Sequence, residues 1–139
     1  MRFWDSSAVV PLLIRQEASS RVDRWWADDA RVALWTLTPV EITSAVWRRV
    51  REGAMTESDA RAAETRAQEL ADASYTVTDI EGVKTLARRL LRVHPLRAAD
   101  ALQLGAALVW AGGQPAGKTL LTLDDRLAGS ARREGFDVP

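Results

Sequence analysis

Short strand-like segments alternate with helical stretches along the whole chain, and this alternation limits the possible folds more than any other feature. Apolar runs rich in aromatic or β-branched residues predict strands at residues 2–4, 32–37, 75–77, 119–123 and, last and shortest, 136–138. Helices are predicted at about 7–15, 18–29, 39–52, 57–72, 79–92, 98–111 and 125–134. Strands separated by helices indicate an α/β fold: a three-layer α/β/α domain with a central, mostly parallel sheet.

The length and composition narrow the class of protein further. At 139 residues the chain has room for one domain, residues 1–139, with one core that needs no covalent staples. The absence of cysteine excludes disulfides, thiolate nucleophiles and cysteine zinc sites. There is no signal-like start, and no run approaches the roughly 20 apolar residues of a membrane span. We therefore expect a cytoplasmic protein without a membrane segment.

Four acidic residues stand where the chain is otherwise least polar. Asp5 and Asp124 each end a predicted strand, Glu41 opens a helix that follows a strand, and Asp100 interrupts an apolar helix. In parallel sheets, ligands bind beyond the carboxyl ends of the strands, so these side chains are expected at one edge. Clustered carboxylates repel one another unless a cation neutralises them. The pattern predicts a Mg²⁺ or Mn²⁺ site, because both ions prefer oxygen ligands.

Three of these acids have a simpler interpretation as helix caps. Asp5 and the serines after it could cap the first helix, and Thr38 with Glu41 matches a capping box. Asp124 is followed by Asp125, and one of the two is expected to cap the last helix. Asp100 is harder to explain in this way, because only Asp100 and Gln103 are polar within the first two turns of that helix. Function is the stronger interpretation for Asp100.

The charges predict where an anionic ligand would bind. Lys+Arg and Asp+Glu are both 19, so the net charge does not indicate a nucleic-acid binder. Only local clusters of basic residues can indicate where such a ligand would bind. A solvated helix face is the simpler interpretation of each arginine cluster. The single histidine, His94, precedes a proline and is expected in a loop. Four arginines flank the helices of Glu41 and Asp100 and are candidates for phosphate contacts: Arg48, Arg49, Arg51 and Arg97.

Four segments together resemble a known family. They are FWDSSAVVPLL (3–13), TPVEITSAVWRR (38–49), LRAADALQLGAA (96–107) and LTLDDRLAGSARREG (121–135), and in order and spacing they resemble PIN-domain ribonucleases of the VapC toxin type. The resemblance runs nearly end to end. It departs mildly at Gln103 and Gly105, where the family often has other residues, and the Asp124–Asp125 doublet leaves the fourth acid ambiguous.

The resemblance implies a function. It implies that Asp5, Glu41, Asp100 and Asp124 bind Mg²⁺ or Mn²⁺ and form the catalytic cluster, with Ser6 or Ser7 and Thr122 beside it. It also implies a metal-dependent endoribonuclease that is the toxin of a type II toxin-antitoxin pair. Its expected partners are an RNA substrate, a cognate antitoxin that occupies the groove, and a second copy in a homodimer, giving a heterotetramer or larger assembly with the antitoxin.

Other classes of protein fit the residues less well. A phosphatase or phosphotransferase with an aspartyl nucleophile commonly needs a second aspartate two residues after Asp5, where this chain has Ser7. A response-regulator receiver needs a lysine after a late strand, whereas Lys118 precedes one. The remaining alternative is a catalytically weak PIN-like module that binds RNA or protein, against which the presence of all four acids argues.

Overall fold

A computed structural model describes all residues, Met1–Pro139. Four parallel strands form one sheet in the order β3-β2-β1-β4. The strands are β1 (Arg2–Trp4), β2 (Val32–Trp35), β3 (Tyr75–Val77) and β4 (Leu120–Leu121). The helices are α1 (Ser6–Leu13), α2 (Ser19–Asp28), α3 (Thr38–Arg51), α4 (Glu57–Asp72), α5 (Ile80–Val93), α6 (Ala98–Trp110) and α7 (Asp125–Glu134).

The order of the strands creates a switch point beside β1. The chain moves from β1 to β2 to β3 in one direction and then places β4 on the other side of β1. Phe3 pairs with Ala33 of β2 and with Leu120 of β4, so β1 is central. Crevices at such switch points, outside the carboxyl ends of the strands, are the usual ligand sites of α/β sheets.

Two apolar clusters cover the two faces of the sheet, because successive side chains of a strand point to opposite faces. Phe3, Ala33 and Trp35 pack on one face with residues of α5, α6 and α7. Trp4 and Leu34 pack on the other face with residues of α1, α2, α3 and α4. The predicted three-layer α/β/α fold with a parallel sheet is confirmed.

A glycine lets α6 pack closely on α5. A Cβ atom at Gly105 would lie 3.0 Å from the backbone oxygen of Val83 and 3.3 Å from the backbone nitrogen of Ala87. A larger residue would push the helices apart. Because α6 carries Asp100 in its first turn, this close packing also sets where that carboxylate lies.

Most predicted elements are present, with ends that match the structure or differ from it by at most two residues, but two predictions are wrong. Residues 136–138 form no strand of their own, because only one parallel bridge, between Thr119 and Asp137, joins them to the sheet. The N-cap of α3 is Leu37 rather than Thr38, which is the first helical residue and is fully buried. No helix combines the length and the apolar character needed to cross a bilayer.

Candidate functional site

The carboxyl edge of the sheet gathers side chains from four helices and two strand ends. Asp5 directly follows β1 and is 4% exposed, and Thr122 directly follows β4 and is 3% exposed. Glu41 lies in the first turn of α3 and Asp100 in the first turn of α6. These positions agree with the sequence-based expectation that the acids meet at one edge.

The two oxygens of Asp5 have different surroundings. Oδ2 accepts the backbone N–H of Ser7 at 3.2 Å, the Ser7 hydroxyl, and the Thr122 hydroxyl at 2.9 Å. Oδ1 has only the Ser6 hydroxyl near it, at 3.5 Å. Asp5 therefore caps α1 with one oxygen and leaves the other with almost no protein partner.

Glu41 does not cap its own helix. Its Oε2 accepts from the Ser6 hydroxyl at 2.7 Å, and its Oε1 accepts from Gln103 Nε2 at 3.1 Å. No side chain caps the start of α3. The capping-box interpretation of Glu41 is wrong, because its carboxylate turns toward α1 and α6 instead of toward the backbone of its own first turn.

Asp100 and Asp124 each use one carboxylate oxygen to accept a backbone N–H at the start of a helix. Oδ2 of Asp100 accepts the backbone N–H of Arg97 at 3.2 Å, and Oδ1 of Asp124 accepts that of Leu127 at 2.8 Å. Asp124 is thus the N-cap of α7, while Asp125 lies exposed in the first turn. For the doublet, the structure links Asp124 to the site, since its N–H donates to the Thr122 hydroxyl at 3.0 Å.

Helix starts offset part of the negative charge at this edge. Asp5, Asp100 and Asp124 each accept a backbone N–H at the start of a helix, in α1, α6 and α7 respectively. The start of a helix carries partial positive charge and favours a carboxylate by about 0.3–1 kcal/mol at an exposed site. Each of these aspartates keeps a second oxygen available to a ligand.

Burial and mutual repulsion act on the carboxylates that lie closest together. Burial is the largest cause that raises the pKa of Asp5 above its ordinary value, and the charge of Asp100 adds to it, while bonds from Ser7 and Thr122 oppose it. Burial likewise raises the pKa of Glu41, with further contributions from the charges of Asp5 and Asp100. The charge of Asp100 acts on both Asp5 and Glu41, and that of Asp5 acts on Glu41, so these three carboxylates lie close enough to interact.

The donor set fits a hard divalent cation. All the available groups are oxygens, and none of the salt bridges of the protein involves Asp5, Glu41, Asp100 or Asp124. No three histidine, aspartate or glutamate side chains are close enough to enclose one ion between them. Mg²⁺ does not need such a cage, because it keeps several waters and is usually held by one or two carboxylates.

An open cavity of about 350 Å³, called the acidic cavity below, lies beside the acids. Among its lining residues are Ser6 and Ser7 of α1 and Glu41, Ser44 and Arg48 of α3. Arg49 lines a different cavity, with Ile14 and Arg66, because successive residues of a helix point about 100° apart. Arg97 is the N-cap of α6, next to Asp100, and Arg51 is exposed at the end of α3.

The arginines predicted for phosphate contacts therefore do not act as one group. Of the four, Arg48 lines the acidic cavity, whereas Arg49 lies on another face of α3.

His94 is outside the site: its Nε2 lies 2.6 Å from Glu134, which also pairs with Arg89.

Three polar residues at the site were not among the predicted site residues: Thr38, Ser44 and Gln103. Gln103 is 1% exposed and donates from Nε2 to Thr38 Oγ1 at 3.2 Å and to Glu41. Its position one turn after Asp100 in an apolar helix was the available signal. For Ser44, the signal was its place one turn after Glu41 in the same helix.

Comparisons of the sequence point to one family. The family model described as PIN domain matches residues 2–132. The chain is 34% identical over 137 residues to Ribonuclease VapC45 of Mycobacterium tuberculosis (strain CDC 1551 / Oshkosh), covering 98% of this chain and 92% of the relative. The same figures hold for Ribonuclease VapC49 of M. tuberculosis (strain ATCC 25618 / H37Rv).

Comparisons of the structure give the same fold. The chain is similar to PAE2754 from Pyrobaculum aerophilum, with a TM-score of 0.60 and 20% identity, covering 99% of this chain and 87% of the other. It is also similar to FitAcB from Neisseria gonorrhoeae, with a TM-score of 0.64 and 16% identity, covering 99% of this chain and 96% of the other. At these identities the likeness concerns the fold alone.

Proposed function

The chain belongs to the PIN-domain family and resembles its VapC ribonucleases, and on this premise we propose that it is a Mg²⁺- or Mn²⁺-dependent endoribonuclease. In this proposal the whole of residues 1–139 acts as one PIN domain, the toxin of a type II toxin-antitoxin pair. The observation that carries the proposal is the meeting of Asp5, Glu41 and Asp100 at the carboxyl edge of the sheet without a cationic partner, where one hydroxyl, of Ser6, lies 3.5 Å from Asp5 and 2.7 Å from Glu41.

Asp5, Glu41, Asp100 and Asp124 would together hold the metal ion, one or two of them directly and the others through its bound waters. Asp5 would bind through Oδ1, because its Oδ2 already accepts from Ser7 and Thr122. Asp100 and Asp124 would bind through the oxygens that do not cap α6 and α7. A bound Mg²⁺ or Mn²⁺ supplies the positive charge that activates water for attack on a phosphodiester.

The remaining side chains orient the acids and the RNA. Ser7 and Thr122 fix the orientation of Asp5, and Ser6 donates to Glu41 at 2.7 Å. Arg48, on the wall of the same cavity, would contact an RNA phosphate through its planar guanidinium group. No histidine base is needed, and the only imidazole is paired with Glu134 outside the site.

RNA cleavage tests this proposal directly. The purified chain is incubated with RNA in Mg²⁺, in Mn²⁺ and in excess chelator, beside the variant Asp5→Asn. We expect cleavage only by the wild-type chain and only with a divalent ion. Full cleavage by Asp5→Asn in saturating chelator would contradict the proposal. Metal and RNA binding without cleavage would instead favour the alternative of a weakly catalytic binding module.

A second surface fits an antitoxin. A cavity of about 330 Å³ is lined by Leu12, Leu13, Asp23, Trp26 and Leu70, and Trp26 is 36% exposed. Helix α1 contributes Val10 to the acidic cavity and Leu12 and Leu13 to this apolar one, so a bound helix could reach from one to the other. We expect Trp26→Arg to abolish neutralisation by the cognate antitoxin while leaving RNA cleavage intact.

A homodimer is the remaining part of the proposal. Three large apolar side chains at or near the β3 edge are more than half exposed: Val40, Tyr75 and Ile80. Such side chains favour contact with a second copy. Molar mass by light scattering tests this prediction, and Tyr75→Lys with Ile80→Lys should shift the protein to the monomer.

A further inference from the structure

Gln103 connects the two helices that carry Glu41 and Asp100. It is 1% exposed in α6, and its Nε2 donates to Thr38 Oγ1 at 3.2 Å and to Glu41 Oε1 at 3.1 Å. Both acceptors belong to the first turn of α3. An amide buried in α6 therefore bonds one oxygen of the Glu41 carboxylate, while the cavity-lining Ser6 bonds the other.

Stability alone does not explain an amide at this position. Gln103 Oε1 is buried and has no hydrogen-bond partner. An unpaired buried polar atom destabilises a fold, and an apolar side chain of similar volume at this position would bring no such atom. The neighbours in α6 are apolar, so methionine or leucine would suit the packing. What the amide adds is its N–H donors.

A neutral donor suits a carboxylate that must bind a cation. A lysine or arginine here would form an ion pair with Glu41 and compete with a metal ion for it. The amide instead fixes Oε1 without adding charge, while Ser6 holds Oε2 at 2.7 Å. With one donor on each oxygen, the carboxylate has little freedom to rotate, and each oxygen keeps a lone pair for another partner.

We propose that Gln103 is a positioning residue that fixes the orientation in which Glu41 meets the metal ion. The inference rests on the proposed function, because it assumes that Glu41 is a metal ligand. Gln103 itself touches neither metal nor RNA in this proposal. It acts through Glu41, as residues behind metal ligands commonly do, and their loss typically lowers metal affinity or activity by 10–100-fold.

Metal binding without RNA tests the inference. Mn²⁺ affinity is measured by titration calorimetry for the wild type, Gln103→Met and the control Thr38→Val, which removes the other acceptor of the amide but keeps its bond to Glu41. We expect about tenfold weaker Mn²⁺ binding in Gln103→Met and less than a twofold change in Thr38→Val. Gln103→Met removes the donor to Thr38 and Glu41, so it should unfold at a somewhat lower denaturant concentration than the wild type, and Gln103→Leu replaces it if methionine does not fold.

A double-mutant cycle separates positioning from a merely structural role. If Gln103 acts only through Glu41, then Glu41→Gln and the double variant with Gln103→Met should bind Mn²⁺ with the same affinity. Additive losses, or unchanged affinity in Gln103→Met, would overturn the inference. A wild-type chain that binds no Mn²⁺ would instead refute the proposed function, so the two failures are distinguishable.

Discussion

The hydroxyl of Thr122 lies 2.9 Å from Oδ2 of Asp5 and joins the ends of two neighbouring strands. The same hydroxyl oxygen accepts the backbone N–H of Asp124 at 3.0 Å, which leaves its proton free to be donated to Asp5. Ser7 repeats this arrangement, because its hydroxyl donates to Asp5 and accepts the N–H of Leu123 at 2.9 Å. Backbone groups after β4 thus orient both hydroxyls toward one carboxylate oxygen.

This arrangement predicts opposite outcomes for two replacements of Thr122. Thr122→Val removes both the donor to Asp5 and the acceptor for Asp124, so we expect a loss of about 1–3 kcal/mol in unfolding free energy. The affinity for divalent ions should also fall, because Asp5 loses its fixed orientation. Thr122→Ser keeps the hydroxyl and should retain both properties. Denaturant unfolding and Mn²⁺ titration measure them, and equal behaviour of the two variants would contradict the role given to Thr122.

Asp100→Asn separates charge from shape at the third acid. Asparagine can still accept the N–H of Arg97, so α6 should keep its cap and the protein should fold. Loss of the negative charge relieves repulsion on Asp5 and Glu41 but weakens cation binding. We expect unchanged or higher thermal stability in chelator, together with weaker Mn²⁺ binding and RNA cleavage reduced at least tenfold. A cleavage rate equal to wild type would remove Asp100 from the metal site.

Glu41→Gln tests the acid whose capping interpretation the structure contradicts. Because Glu41 caps nothing, the substitution should leave the melting temperature nearly unchanged or slightly higher. If Glu41 is a metal ligand, cleavage should fall by more than tenfold, which corresponds to about 1.4 kcal/mol of barrier for each factor of ten. Rates within about threefold of wild type would return Glu41 to a structural role.

The fold was more predictable from the sequence than the details of the site. Periodicity indicated every helix and four of the strands, because a segment that buries one face has apolar residues at regular intervals. Position at strand ends also predicted that Asp5 and Asp124 lie at the carboxyl edge of the sheet. The strand predicted at 136–138 is wrong, because so short a segment carries no information about which strand it will pair with.

Side-chain directions within the site could not be derived in this way. The motif Thr38-Pro-Val-Glu41 fits a capping box locally, but bonds from Ser6 and Gln103 turn the carboxylate toward other helices. Likewise, Arg48 and Arg49 are neighbours in sequence, yet their side chains point about 100° apart around the helix. They therefore line different cavities. Such outcomes depend on contacts between residues far apart in the chain.

The raised pKa values of Asp5 and Glu41 predict how stability depends on pH without metal. The folded state holds these protons more tightly than the unfolded state, so stability falls as pH rises from the ordinary carboxyl range through the raised pKa values. We expect a lower urea midpoint at about pH 8 than at about pH 5 in chelator. Mg²⁺ should reduce that difference, because it binds the ionised carboxylates.

A control variant identifies the groups responsible for that pH dependence. Asp5→Asn combined with Glu41→Gln should flatten the decline above about pH 5. Glu134 works in the opposite direction, because Arg89 first and His94 second hold its pKa below the usual range, so its contribution is lost only as pH falls. An unchanged slope in the double variant would assign the decline to other groups.

Arg48 and Arg49 form a matched pair for testing the path of RNA. Arg48 lines the acidic cavity with Glu41, whereas Arg49 lines a separate one with Ile14 and Arg66. Each phosphate neutralised by an arginine contributes about 0.7 to the salt slope for a single strand. Arg48→Gln should therefore weaken RNA binding and lower the slope by about 0.7, while Arg49→Gln should leave both unchanged.

The measurement is RNA binding over a range of salt concentrations, with each variant in the Asp5→Asn background so that the RNA stays intact. Mn²⁺ affinity, measured on the same arginine variants with Asp5 intact, should match the wild type, because neither arginine contacts a carboxylate of the site. If the Arg49 variant loses the slope and the Arg48 variant keeps it, RNA follows the other face of α3. The acidic cavity would then receive only the phosphodiester to be cleaved, with its flanking phosphates bound elsewhere.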